Sequence, residues 1–105
     1  MVKQFDIYLV NFDPAFGSEI KKSRPAVVVS PDAMNKTMRT VIVAPLTSRI
    51  KSYPFRVRSV LNKTEGEIAL EQLRAIDKRR LAVKLGKLDS VIAANTKLVL
   101  QTMFS

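Results

Sequence analysis

GSEIKKSRPAVVV, residues 17 to 29, decides how the rest of the chain is read. Ala26 to Val29 is uncharged and apolar, with three adjacent valines, which predicts a strand buried on both faces. Pro25 suits the start of such a strand, where no ladder donor is needed, and it biases Arg24 towards an extended backbone. Before it comes a polar stretch with one glycine, Glu19 and the pair Lys21-Lys22. Arg24 is therefore expected where a loop meets rigid core, a position suited to holding a catalytic group still.

Working outward, Phe5 to Phe12 alternates imperfectly and predicts a first strand, ended by Asp13-Pro14. The loop from Asp13 to Ser23 is long for a hairpin connection, as functional lids are. After the second strand (Ala26 to Ser30), Pro31-Asp32 predicts a turn, with Asp32 capping a short helical turn through Asn35. Thr40 to Leu46 reads as a third strand, with a bulge or strand end near Pro45, and Thr47-Ser48 at its mouth. Phe55 to Val60 reads as a fourth, with Arg56 and Arg58 on a solvent face. Asn62 to Gly66 is turn chemistry, and Glu67 to Leu73 a further strand. Asp77 predicts the cap of a short helix over Lys78 to Ala82, with Gly86 ending the next piece. Asp89 caps a last helix whose Val91, Ile92, Asn95, Leu98, Val99 and Met103 are expected to share one face. Five or six short strands followed by one helix predict a mainly β chain, a small barrel with a C-terminal helix on its side. Residues 1–105 are expected to form one domain.

Composition narrows the chemistry. The chain has no cysteine and no histidine, so a thiolate site, a disulfide framework and the usual neutral-pH acid–base residue are excluded, and a transition-metal site is not expected. Catalysis would have to run on carboxylates, arginine, lysine, hydroxyls or backbone groups. Lys and Arg number 18 against 9 Asp and Glu, a net charge of +9 that favours a polyanionic partner. No stretch has the length of apolar residues that a membrane span needs, and the first ten residues do not read as a signal peptide, so a cytoplasmic location is expected.

Five segments in order resemble the MazF/PemK/Kid toxins of bacterial toxin–antitoxin pairs: Asp6-Ile7-Tyr8-Leu9-Val10, Gly17-Ser18-Glu19, Ser23-Arg24-Pro25-Ala26-Val27-Val28, Ala44-Pro45-Leu46-Thr47-Ser48 and Glu71-Gln72-Leu73-Arg74-Ala75-Ile76-Asp77. The resemblance runs from about Phe5 into the last helix. It implies an SH3-like barrel of the CcdB/PemK type that pairs into a homodimer, cofactor-free and metal-independent cleavage of single-stranded RNA, and a cognate antitoxin with an acidic segment. It also implies catalytic roles for Arg24, Thr47 and Glu71. RNA contacts are expected from Glu19, Lys21, Lys22, Ser48, Arg49, Gln72 and Arg74. The family's common Arg-Gly-Asp strand entry is replaced here by Gln4-Phe5-Asp6.

The residue types fit metal-free RNA cleavage, in which the ribose 2′-hydroxyl attacks the neighbouring phosphorus. A guanidinium fork grips two phosphoryl oxygens, Thr47 donates to the same group, and Glu71, or in second place Glu19, takes the 2′-proton. Each residue has a plainer reading. Without the resemblance Arg24 reads more readily as an ion-pair partner of Glu19 or Asp6, Thr47 as a strand former and Glu71 as a partner of Arg74. Phe16 and Tyr53 are as well placed to pack on the barrel as to stack on bases. Two rival functions share the barrel: a CcdB-type gyrase inhibitor without nuclease activity, and a passive RNA binder.

Overall fold

The computed structural model describes residues 1–13, 17 and 22–105. In chain order these form β1 (Asp6–Asn11), β2 (Ser23–Val28), α1 (Asp32–Thr37), β3 (Thr40–Thr47), β4 (Arg56–Leu61), β5 (Thr64–Ala69), β6 (Arg74–Asp77), β7 (Leu81–Lys87) and α2 (Ser90–Met103). The sheet runs β4-β5-β3-β2-β1-β7, with β6 attached to β3. Every pairing is antiparallel. This is the mainly β barrel with a C-terminal helix that the sequence predicts, though with more strands than it predicts.

β2 lies at the centre and feeds two cores. Val27 and Val29 enter one cluster with Ile7, Ala44, Val57, Ile68 and Leu70, which α2 covers. Ala26 and Val28 enter the other with Val10, Phe12, Val41, Val43 and Ile76. The unbroken valine run is thus explained by alternation into apolar surroundings on both sides. Pro25 pairs with Leu9 of β1, while β3 pairs with β2 only from Ala26 onward. β3 in turn divides its second edge, giving Thr40–Val43 to β6 and Leu46–Thr47 to β5. Pro45, which has no N–H to donate, falls in the gap between them and sits inside the strand rather than at its end.

Three expectations are corrected. The stretch Glu67 to Leu73 is not one strand: β5 ends at Ala69, a single 3-10 turn spans Leu70–Gln72, and β6 follows. The helix expected over Lys78 to Ala82 is only a 3-10 turn at Lys78–Arg80, although Asp77 does cap it, accepting from Arg79 N at 2.8 Å. The chain then enters β7, an edge strand whose exposed alternation of apolar and lysine residues disguised it. Asp32 does not cap α1: Pro31 holds that position, and Asp32 Oδ1 instead accepts from Gln4 N at 2.7 Å.

α2 is capped as expected, Asp89 accepting from Ile92 N at 2.9 Å, but its buried stripe is rotated. Ile92, Ala93, Val99, Leu100 and Met103 pack inward, whereas Val91 and Leu98 are 77% and 61% exposed. The centre of the stripe is Thr96, fully buried because its hydroxyl donates to the Ile92 carbonyl. A polar residue at the middle of the buried face is what misplaced the stripe in the sequence.

Candidate active site

Arg24 stands near the start of β2 and Thr47 at the end of β3. The β2–β3 ladder sets Ala26 opposite Pro45, and continuing that antiparallel register by two residues brings Arg24 level with Thr47. Both line one open groove of about 410 Å³, with Pro25, Leu46 and Ser48 beside them. The opposite wall is the β4–β5 hairpin, which contributes Ser59, Leu61, Asn62, Thr64, Glu65 and Gly66. Sequence reading found the first wall and missed the second. Asn62-Lys63 was legible as a turn, and both residues have positive φ (50° and 65°), as a tight primed hairpin turn requires. That this hairpin faces Thr47 follows from β3–β5 pairing, which is long-range and leaves no local signal.

Gly66 makes the two walls meet. A Cβ placed there would lie 2.6 Å from the Thr47 carbonyl oxygen, so only glycine lets β5 come this close to β3. Thr47 is half-buried, and its Oγ1 accepts from Arg49 N at 3.1 Å, which turns the chain out of β3 into the loop 48–55. Ser48 and Arg49 are exposed at the mouth of the groove and just beyond it.

The remaining predicted site residues are distributed elsewhere. Glu71 is not among the residues lining the groove; the Arg56 guanidinium holds both its oxygens, from Nε at 2.8 and 3.0 Å and again from Nη2. Its ion-pair partner is thus Arg56 of β4, not Arg74. Gln72 is half-buried in the same 3-10 turn, and Arg74 lies 5.9 Å from the centre of the Phe12 ring, a cation–π contact at the start of β6. Neither lines the groove. Lys22, at the exit of the β1–β2 loop, donates its N–H to Asp13 Oδ1 at 2.9 Å, while its carbonyl accepts from Phe12 N at 3.2 Å. Glu19, Lys21 and Phe16 lie outside the described residues.

Arg56 itself is not on a solvent face, as its alternation with Arg58 suggests. Its side chain is 9% exposed because a third residue draws it in: Glu67, 2% exposed, accepts from Arg56 Nη1 at 3.2 Å. Glu67 also accepts from Lys51 N at 2.8 Å and Ser52 N at 2.9 Å. Burial pushes the Glu67 carboxyl up, but these backbone donors and Arg56 outweigh it and hold the group below the usual carboxylate range. The hydrogen bond to Glu71, ahead of the contacts with Glu67, raises Arg56 further above its already high value against the opposing effect of burial. Tyr53 completes the arrangement, its ring 5.2 Å from the Arg56 guanidinium. Among the described residues no three of His, Cys, Asp or Glu gather as a metal site would need, and no helix is long and apolar enough to cross a membrane.

A sequence model of the family described as PemK-like, MazF-like toxin of type II toxin–antitoxin systems matches residues 3–104. Among solved structures, MazF (Form-I) from Deinococcus radiodurans is similar at 30% identity and a TM-score of 0.85, covering 98% of this chain and 96% of that one. A MazE–MazF complex (Form-III) from the same organism gives 28% identity and a TM-score of 0.80, covering 98% and 95%. An endoribonuclease in complex with its cognate antitoxin from a mycobacterial species, 17% identical with a TM-score of 0.84 over 99% and 95%, shares the fold.

Proposed function

The chain belongs to the PemK-like, MazF-like toxin family of type II toxin–antitoxin systems, and from that premise we propose that it is a metal-independent endoribonuclease that cuts single-stranded RNA in the cytoplasm. The observation that carries this reading is the meeting of Arg24 and Thr47 on one wall of an open groove, on a chain of net charge +9. A groove lined by a guanidinium, four hydroxyls and a single carboxylate, in a positive field, suits a phosphodiester better than any neutral ligand.

In the proposed reaction the 2′-oxygen forms a bond to phosphorus as the bond from phosphorus to the 5′-oxygen breaks. The products are a 2′,3′-cyclic phosphate and a 5′-hydroxyl end, the departing 5′-oxygen taking its proton from solvent water. Arg24 spans two non-bridging oxygens and stabilises the charge that builds there; Thr47 donates to the same group. A guanidinium is a fixed cation, so arginine contributes charge rather than a proton. Glu71, the sequence's first candidate for base, has both oxygens engaged by Arg56 and does not line the groove. We therefore assign the base to Glu19, in the loop that leads into Arg24, and give Glu71 the task of holding Arg56. Lys21, Lys22, Ser48, Arg49, Gln72 and Arg74 remain the proposed RNA contacts, with Asn62 and Thr64 added from the hairpin wall.

Two partners accompany this reading. A MazE–MazF complex is among the structures this chain resembles, and an antitoxin with an acidic segment complements the basic surface. A second copy of the chain is the proposed cover for the apolar side chains left outside: Val83 and Leu85 on β7, Val91 and Leu98 on α2. Sedimentation as a monomer at micromolar concentration would remove the dimer. The central test is incubation with single-stranded RNA in EDTA. Cleavage leaving cyclic phosphate and 5′-hydroxyl ends supports the nuclease; intact RNA with blocked gyrase supercoiling supports a CcdB-type inhibitor; retarded but intact RNA supports a passive binder.

A further inference from the structure

Glu67 is, with Asp6, one of two carboxylates that the described residues bury almost completely, and neither lines the groove. A charge taken out of water at this depth is costly unless both carboxylate oxygens find donors. Here both do, and two of the three donors come from one place. Lys51 N and Ser52 N, consecutive backbone groups at the turn of the loop 48–55, donate to Oε1 and Oε2. Ser52 has φ 56°, a left-handed conformation that a residue with a Cβ adopts only when held. Arg56 closes the loop's far end: its guanidinium reaches Glu67 and Glu71, its N–H donates to the Tyr53 carbonyl at 3.0 Å, and Tyr53 lies against its charge. The near end of the loop is Thr47 and Ser48, and Thr47 is the residue paired with Glu67 across the β3–β5 ladder.

We propose that Glu67 is a positioning residue of this site: by pinning the loop 48–55 it fixes the wall that carries Thr47 and Ser48, and so selects which RNA sequence is cut. This rests on the nuclease reading above. Glu67 touches no substrate in this account. It acts through Lys51 and Ser52, and the exposed basic residues Arg49 and Lys51 keep one presentation towards RNA because their backbone has one conformation. The carboxylate is needed rather than any polar group of the same size. A glutamine offers a single acceptor oxygen, and its amide would set donors against the N–H of Ser52 or the guanidinium of Arg56.

The test uses Glu67→Gln and the double variant Arg56→Leu/Glu67→Leu, which removes the buried charge pair altogether and lets apolar packing replace it. Backbone amide exchange at Lys51 and Ser52 is expected to rise about tenfold or more in both, since hydrogen bonds to a charged acceptor are lost. Cleavage of a mixed transcript pool should shift in both towards secondary sites, with kcat/KM at the preferred site down by about tenfold. The double variant should recover thermal stability but neither the exchange protection nor the cleavage pattern. Recovery of all three in the double variant would show Glu67 to be merely structural, and unchanged exchange in Glu67→Gln would overturn the proposal outright. Wild-type protein that leaves RNA intact would instead defeat the nuclease reading and the selectivity with it, while exchange still decides whether Glu67 pins the loop.

Discussion

Gly66 of β5 lies so close to Thr47 of β3 that a single added carbon would stand 2.6 Å from the Thr47 carbonyl oxygen. Backbone cannot yield there as a flexible side chain would. Gly66→Ala is expected to destabilise the fold by about 1–3 kcal/mol, the usual cost of overpacking. It should also push the end of β3 out of place, so cleavage falls further than stability alone explains. Urea unfolding together with single-turnover cleavage at a temperature where the variant is folded checks both.

Arg24 and Thr47 should separate by what each donates. Arg24→Ala is expected to lower the cleavage rate by about 10²–10³, the cost of removing one donor to a developing oxyanion. Arg24→Lys keeps the charge but not the fork, and should recover only part of it. Thr47→Ser keeps the hydroxyl and should remain near wild type where Thr47→Ala does not. A cleavage rate for Arg24→Ala within a few-fold of wild type would refute the assignment.

The carboxylates make a three-way comparison. Glu19→Gln is expected to cost about 10²–10⁴, the range for a general base. Glu71→Gln should cost less than about tenfold in rate yet lower stability, because Arg56 keeps only Glu67 as a charged partner. Glu65, exposed on the groove's hairpin wall beside Arg58, should affect RNA affinity more than rate. A folded Glu71→Gln as inactive as Glu19→Gln would return the base to Glu71.

Acid should weaken the fold through two groups whose pKa is depressed. Glu67 lies below its ordinary 4.5 because Lys51, Ser52 and Arg56 outweigh burial, and Asp77 is lowered from 3.8 to about 2, first by its side-chain hydrogen bond from Arg79. A carboxylate with a depressed folded pKa stabilises the protein above its unfolded value, and that contribution is lost as pH falls. Tm should therefore decline once pH drops below about 4.5, and for Asp77 the loss should run between about 4 and about 2. Asp77→Asn and Glu67→Gln should each flatten this decline in scanning calorimetry.

Much of the fold was written locally. The valine run of β2, the caps Asp77 and Asp89 and the turn at Asn62-Lys63 all carry their signals in neighbouring residues. What the sequence concealed depended on partners far along the chain. Arg56 looks solvent-facing until Glu67 and Glu71 arrive from β5 and the turn after it. β7 has no strand signal of its own, and its first residues read as the end of a short helix until β1 pairs with it. Of the site, Arg24 and Thr47 were legible because strand ends place them, whereas the hairpin wall opposite them was not. No window of sequence around Asn62 announces that it will face Thr47.

The division of β3 between two neighbours has a mechanical consequence. Beyond the gap at Ala44–Pro45, the β4–β5 hairpin joins the central sheet by two rungs, Leu46 with Ile68 and Thr47 with Glu67, while its Val57 and Ile68 are anchored in the core under α2. Its base is therefore held, and only the tip around Asn62-Lys63 lies beyond both rungs and core. Widening the cleft for a thick polymer would then require bending at that tip, because swinging the whole hairpin would draw Val57 and Ile68 out of their packing.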